Sequence, residues 1–154
     1  MGQAISSFLA NGYEVLNNEE NELPMSKDKA NDEFSKLINI GDKYVKSKQY
    51  KDAGVFYYKA AEIGKCYQLE RPTVIQRYEL AADCFLKIND RCAILCFQNA
   101  IDVYQEMGSI QQAIQLCFQY RYKCHQIFQE KTQIKNLYDK ADELPYLSHD
   151  KIHT

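Results

Sequence analysis

The chain has 154 residues, of which 45% are hydrophobic and 26% charged, and its formal net charge is -2. That is apolar material for one domain with a real core, and it excludes wholesale disorder. The missing basic excess argues against a nucleic-acid binder, and no run of about 18 apolar residues is available to cross a membrane.

Residues 1–25 form a zone of their own, expected to be a flexible membrane-anchor segment. Met1-Gly2-Gln3-Ala4-Ile5-Ser6 fits the N-myristoylation pattern, in which Gly2 becomes the acylated terminus once the methionine is removed. One myristoyl chain binds membranes only reversibly and needs a second signal. A polybasic signal is not on offer, because the first cation is Lys27 and Glu14, Glu19, Glu20 and Glu22 are repelled by anionic lipid. Phe8 and Leu9 are the residues that can supply it by insertion; otherwise they cap the first helical hairpin from a plain tail. The N-terminus lacks the basic start and apolar core of a secretory signal, so the expected location is the cytoplasm, peripheral to a membrane on its cytosolic face.

Residues 26–147 read as helices separated by short breaks, and 148–154 as a tail. Ser26 is a suitable N-cap for a first helix over 27–47, with Phe34, Leu37, Ile38, Ile40, Gly41, Tyr44 and Val45 as its apolar stripe. A second helix over 50–67 turns Ala53, Phe56, Tyr57, Ala60 and Ile63 inwards. Pro72 suits the first turn of a third, which carries Ile75, Tyr78, Ala81, Ala82, Phe85 and Ile88. Asn89-Asp90 makes the next turn. A fourth helix over 91–107 ends at Gly108. A fifth, over 110–129, uses Ile110, Ala113, Ile114, Cys117, Phe118 and Cys124. A sixth, over 132–143, uses Ile134, Leu137, Tyr138 and Ala141 and is expected to stop at Pro145. No segment alternates with period two for long enough to be a strand.

One pattern recurs at an interval of 40 and then 41 residues: Ala53-Tyr57-Ala60, Ala93-Phe97-Ala100 and Ile134-Tyr138-Ala141. Small residues let neighbouring helices approach, and the aromatic fills the gap between them. A hairpin of this kind cannot bury its apolar face alone, so the expected fold is all-α, a right-handed solenoid of stacked helical hairpins with about six helices.

The six cysteines, Cys66, Cys84, Cys92, Cys96, Cys117 and Cys124, fall in helical patterns beside apolar residues and contain no C-x-x-C pair, so buried thiols are expected rather than a metal or redox site. Histidines occur at 125, 149 and 153, with no nucleophile in a recognisable motif and no phosphate-binding glycine loop. No enzyme activity and no cofactor are expected.

Gly41, Tyr44, Tyr50, Ala53, Tyr57 and Ala60 reproduce much of the tetratricopeptide pattern, but the period is too long for that repeat. Lys48-Gln49-Tyr50-Lys51-Asp52-Ala53-Gly54, and the helix from Ala93-Ile94 through Ala100-Ile101-Asp102 to Tyr104-Gln105-Glu106-Met107-Gly108, resemble the SNAP family, the soluble attachment proteins that help disassemble SNARE bundles. The resemblance covers about residues 30–147 and is closest to the alpha/beta branch. It implies a non-enzymatic adaptor whose basic side chains hold an acidic four-helix SNARE bundle or a related coiled coil, whose N-terminal loop touches the membrane, and whose far C-terminus engages an AAA ATPase. Ser6-Ser7-Phe8-Leu9-Ala10-Asn11-Gly12 resembles that loop. Lys48 and Lys87 stand where the family places basic residues, just before a hairpin turn; without the resemblance each reads as a solvated cation at a helix C-terminus. Ser109 and Gln115 stand where the family typically has Arg and Lys. The chain ends near the midpoint of a typical member, so the expectation is an adaptor without the ATPase-engaging half, unable alone to support ATP-driven disassembly and able to compete with full-length adaptors. The alternative is a generic helical-repeat scaffold for an unrelated peptide or coiled coil, to which the 12 tyrosines would suit a groove.

Overall fold

The computed structural model describes residues 24–128 and 135–152. Gly2, Phe8 and Leu9, as well as Ile134, lie outside the described residues. Among the described residues there are six helices and no strand: α1 (Lys27–Lys46), α2 (Tyr50–Cys66), α3 (Arg71–Lys87), α4 (Cys92–Glu106), α5 (Ile110–Phe128) and α6 (Lys135–Ile152).

Local chemistry starts these helices where the sequence suggests. The Ser26 hydroxyl accepts from the Lys29 N–H at 3.2 Å, and Asp28 sits in the first turn. Pro72 occupies the first turn of α3, where its missing N–H costs nothing. Asp90 Oδ1 accepts from the Cys92 N–H at 2.9 Å at the entry to α4.

The helix ends share one device. After each of α1 to α4, one residue adopts a left-handed backbone: Lys48 (φ 59°), Gln68 (φ 51°), Asn89 (φ 54°) and Gly108 (φ 78°). In each case the next N–H reaches back five residues, from Gln49 to Tyr44, Leu69 to Gly64, Asp90 to Phe85 and Ser109 to Tyr104, at 2.9 to 3.1 Å. A second bond closes within it, such as Lys48 N–H to the Val45 carbonyl at 3.0 Å. This is the Schellman arrangement, which satisfies the last carbonyls and reverses the chain within three or four residues. Short reversals make successive helices antiparallel neighbours.

The stack has two layers. Lys123 of α5 lies 3.7 Å from Asp83 of α3, and Lys140 of α6 lies 2.6 Å from Asp102 of α4. Helices α3 and α5 therefore lie side by side on one layer and α4 and α6 on the other, as in a solenoid of hairpins. Between the layers, Ala53, Ala60, Ala93 and Ala100 are fully buried, with Tyr57 and Phe97 filling the space they leave. Phe97 stacks on Tyr120 of α5 with ring centroids 4.2 Å apart. Close approach is absolute at Gly41, where an added Cβ would sit 2.7 Å from the Tyr57 ring. In the third repeat Ala141 is buried and Tyr138 partly so.

Three expectations need correction. Phe118 is 50% exposed and Ile88 40% exposed, so neither belongs to the core. Both stand at the edge of an apolar stripe, where helical spacing alone does not decide between inside and outside. Helix α6 does not stop at Pro145 but continues to Ile152, through most of the expected tail. An interior proline removes one hydrogen bond, here to the Ala141 carbonyl, and the turns on either side still form.

Candidate interaction surface

The turn between α1 and α2 carries Lys48 at the left-handed position, exposed. Lys87 is the last residue of α3 and is also exposed. Its ammonium lies 4.8 Å above the ring of Tyr50, the first residue of α2 and two positions beyond Lys48. A cation over an aromatic face is attracted by the ring quadrupole, which fixes Lys87 beside the Lys48 turn. Lys51 acts on Cys92 at the start of α4, which brings the α1–α2 and α3–α4 turns to one end of the stack. Lys46, the last residue of α1, and Arg91, just before α4, belong to the same end. Five cations thus gather there against the carboxylates of Asp52 and Asp90, and Asp90 is already engaged in capping Cys92. Lys46, Lys51 and Arg91 were not singled out from sequence. The signal was available in the alternation of turns, since every second turn of an antiparallel stack must share an end.

The opposite end is different in character. The Met25 N–H donates to the Tyr67 hydroxyl at 3.2 Å, so the chain enters α1 beside the α2–α3 turn. An open cavity of about 470 Å³ lies there, with Lys65, Arg71, Glu62 and Glu106 around an apolar floor of Leu69, Val74 and Val103. Ser109 is half-buried at this end, in the α4–α5 turn, whereas Gln115 is exposed on α5. The two positions at which the resembled family typically has a basic residue, Ser109 and Gln115, therefore lie towards the other end of the stack from Lys48 and Lys87.

Tyrosine–carboxylate pairs tie the layers together. The Tyr57 hydroxyl donates to Asp42 Oδ1 and the Tyr78 hydroxyl to Glu62 Oε1, each at 2.5 Å. Burial and the neighbouring carboxylate push both phenols far above their ordinary range. Tyr120 directs its buried hydroxyl towards Glu79 without closing a hydrogen bond of good geometry. Burial raises the Glu79 carboxyl, opposed by Tyr120 and Lys123 and reinforced by Asp83.

The thiols are placed for packing. Cys84, Cys92, Cys96, Cys117 and Cys124 are buried, while Cys66 is exposed, contrary to expectation for that residue. Burial pushes Cys84 and Cys117 up to about 11 and Cys124 to about 12, so these sulfurs stay protonated. Among the described residues no group of three His, Cys, Asp or Glu side chains could hold a metal ion, and no helix is long and apolar enough to cross a membrane.

No curated protein matches the chain, and no solved structure does. A family model does match: that described as "Soluble NSF attachment protein, SNAP" aligns with residues 8–151. A match over nearly the whole length, on a stack of long helical hairpins with the expected order of elements, leaves one assignment. The chain belongs to the soluble NSF attachment protein family.

Proposed function

We propose that this protein is a non-enzymatic adaptor that binds assembled SNARE helical bundles in membrane trafficking, gripping them with the cationic end of the stack. The observation that carries the reading is the convergence of Lys48 and Lys87 on one end, joined by Lys46, Lys51 and Arg91. An acidic helical bundle is complementary to such a surface, and exposed cations of this kind act mainly on association rate and orientation. Family membership supports the same class of partner, and with it an AAA ATPase acting on the assembled complex.

The proposal includes a peripheral location on the cytosolic face of a membrane. Gly2 is proposed as the myristoylated residue and Phe8 and Leu9 as the side chains that insert beside the lipid; both readings rest on the sequence pattern. The test of the adaptor reading is equilibrium binding of the chain to an assembled SNARE bundle at low salt. Saturable binding is expected, and no binding under those conditions contradicts the reading. Intact mass after expression in a eukaryotic host tests the anchor: a myristoyl adduct is expected, and an unmodified Gly2 removes it.

A further inference from the structure

Tyr50 is the first residue of α2, and its backbone is set by the turn before it. The Lys48 N–H closes on the Val45 carbonyl at 3.0 Å and the Gln49 N–H on the Tyr44 carbonyl at 2.9 Å, so the chain leaves that turn in one direction. The Tyr50 ring is half-buried against the core. One helical turn further on, Gly54 meets α3, where an added Cβ would sit 2.9 Å from the Phe85 ring. A glycine at that point lets the two antiparallel helices approach closely at the end that carries both Tyr50 and Lys87. Lys87 lies two residues beyond Phe85, and its ammonium comes to 4.8 Å from the centroid of the Tyr50 ring.

The ring does for Lys87 what a carboxylate would not. Neither Lys123–Asp83 nor Lys140–Asp102 involves Lys87. Asp52 and Asp90 share its end of the stack, but Asp90 is engaged at the Cys92 N–H, and it is the Tyr50 face on which the ammonium rests. An aromatic face attracts a cation without carrying net charge, so Lys87 stays exposed and fully charged. A lysine has a flexible four-carbon stem, and fixing it on binding is among the larger side-chain entropy losses. A lysine already held over a ring loses less when the partner arrives.

We infer that Tyr50 is a positioning residue for partner binding, which holds Lys87 beside Lys48 so that cations from two successive hairpins meet an acidic bundle as one unit. The inference rests on the adaptor reading for its partner. It adds a half-buried residue without charge of its own to a surface otherwise defined by cations. Its effect on binding passes through Lys87, which separates it from a residue that touches the bundle.

The experiment is a double-mutant cycle of binding to the assembled SNARE bundle, at low and at high salt, with wild type, Tyr50→Leu, Lys87→Gln and the two combined. At low salt Tyr50→Leu is expected to weaken binding roughly two- to fivefold, and to add nothing once Lys87→Gln is present. At high salt the gap between Tyr50→Leu and wild type is expected to close, because what is lost is the placement of a charge. Tyr50→Phe, which keeps the ring, is expected to bind as wild type does. In the free chain, proton NMR is expected to show the ε-methylene of Lys87 shifted upfield by the ring in wild type and in Tyr50→Phe, and at the ordinary lysine position in Tyr50→Leu. Equal affinity of Tyr50→Leu and wild type overturns the inference. So does a loss that is undiminished in the Lys87→Gln background or at high salt, which would mark a damaged fold or a direct contact. An unshifted Lys87 methylene in wild type overturns it as well. These three results leave the adaptor reading in place, whereas no binding by the wild-type chain contradicts that reading itself.

Discussion

Lys48 combines an exposed charge with a backbone that does not favour it. At φ 59° a lysine is less stable than a glycine by about 1 kcal/mol, and the equivalent position after α4 is indeed Gly108. Lys48→Gly should therefore raise folding stability by about 1 kcal/mol in a urea titration, while weakening binding to an acidic bundle. A substitution that stabilises the fold and impairs binding separates the charge from the turn; a loss of both would make Lys48 structural. Glu79 gives a prediction in pH. Its carboxyl is raised by burial, so between the ordinary glutamate range and the raised value the native state binds more protons than the unfolded chain, and stability falls as pH rises. Tyr104, Tyr120, Lys123 and Asp83 are the titratable groups around it. Glu79→Gln should melt above wild type at neutral pH, with the advantage vanishing near about pH 4. An advantage that persists in acid would show that charge on Glu79 is not its origin. Neither Glu79's burial nor Lys87's place over Tyr50 was legible in the sequence, because both depend on which helix lies opposite.

At the scale of the helix and turn, much more was legible. The Ala53-Tyr57-Ala60 and Ala93-Phe97-Ala100 patterns needed only helical spacing to identify, and their alanines are fully buried. Ala100→Leu should cost about 1–3 kcal/mol, since the enlarged side chain meets a packed interface and has no cavity to occupy; chemical denaturation checks this, and a neutral result would mean the layers are looser than described. Boundaries followed where residues announce them, as at Ser26, Pro72 and Gly108. Lys48 and Gln68 announce nothing, yet they reverse the chain through the same hydrogen bonds as Gly108. Pro145 announced a stop that did not occur: the helix runs on to Ile152 although an interior proline costs about 3 kcal/mol, and the buried Leu137, Ala141 and Leu144 hold the turns before it. Phe118 was misplaced for a different reason: an apolar residue at a stripe edge has no sequence mark that says it stands outside the core.

The whole molecule turns these local devices into a surface. Each helix packs mainly on its neighbours in sequence, so the fold is read off by adding hairpins, and the family is shown by the match over residues 8–151. The surface depends on which turns share an end, and that places Lys48 with Lys87 and, beyond them, Lys46, Lys51 and Arg91. The resemblance singled out two of these five cations; the stack supplies the rest. The most direct test of the adaptor account is the affinity of this chain for an assembled SNARE bundle, with Lys48→Glu/Lys87→Glu compared with wild type across a salt series. The account predicts that the double variant binds roughly tenfold more weakly at low salt, that its binding depends less on salt, and that its stability falls by only about 1–2 kcal/mol, from the lost Lys87–Tyr50 contact and the reversed charge at the end of α3. Equal affinity and equal salt dependence in the two proteins would contradict it.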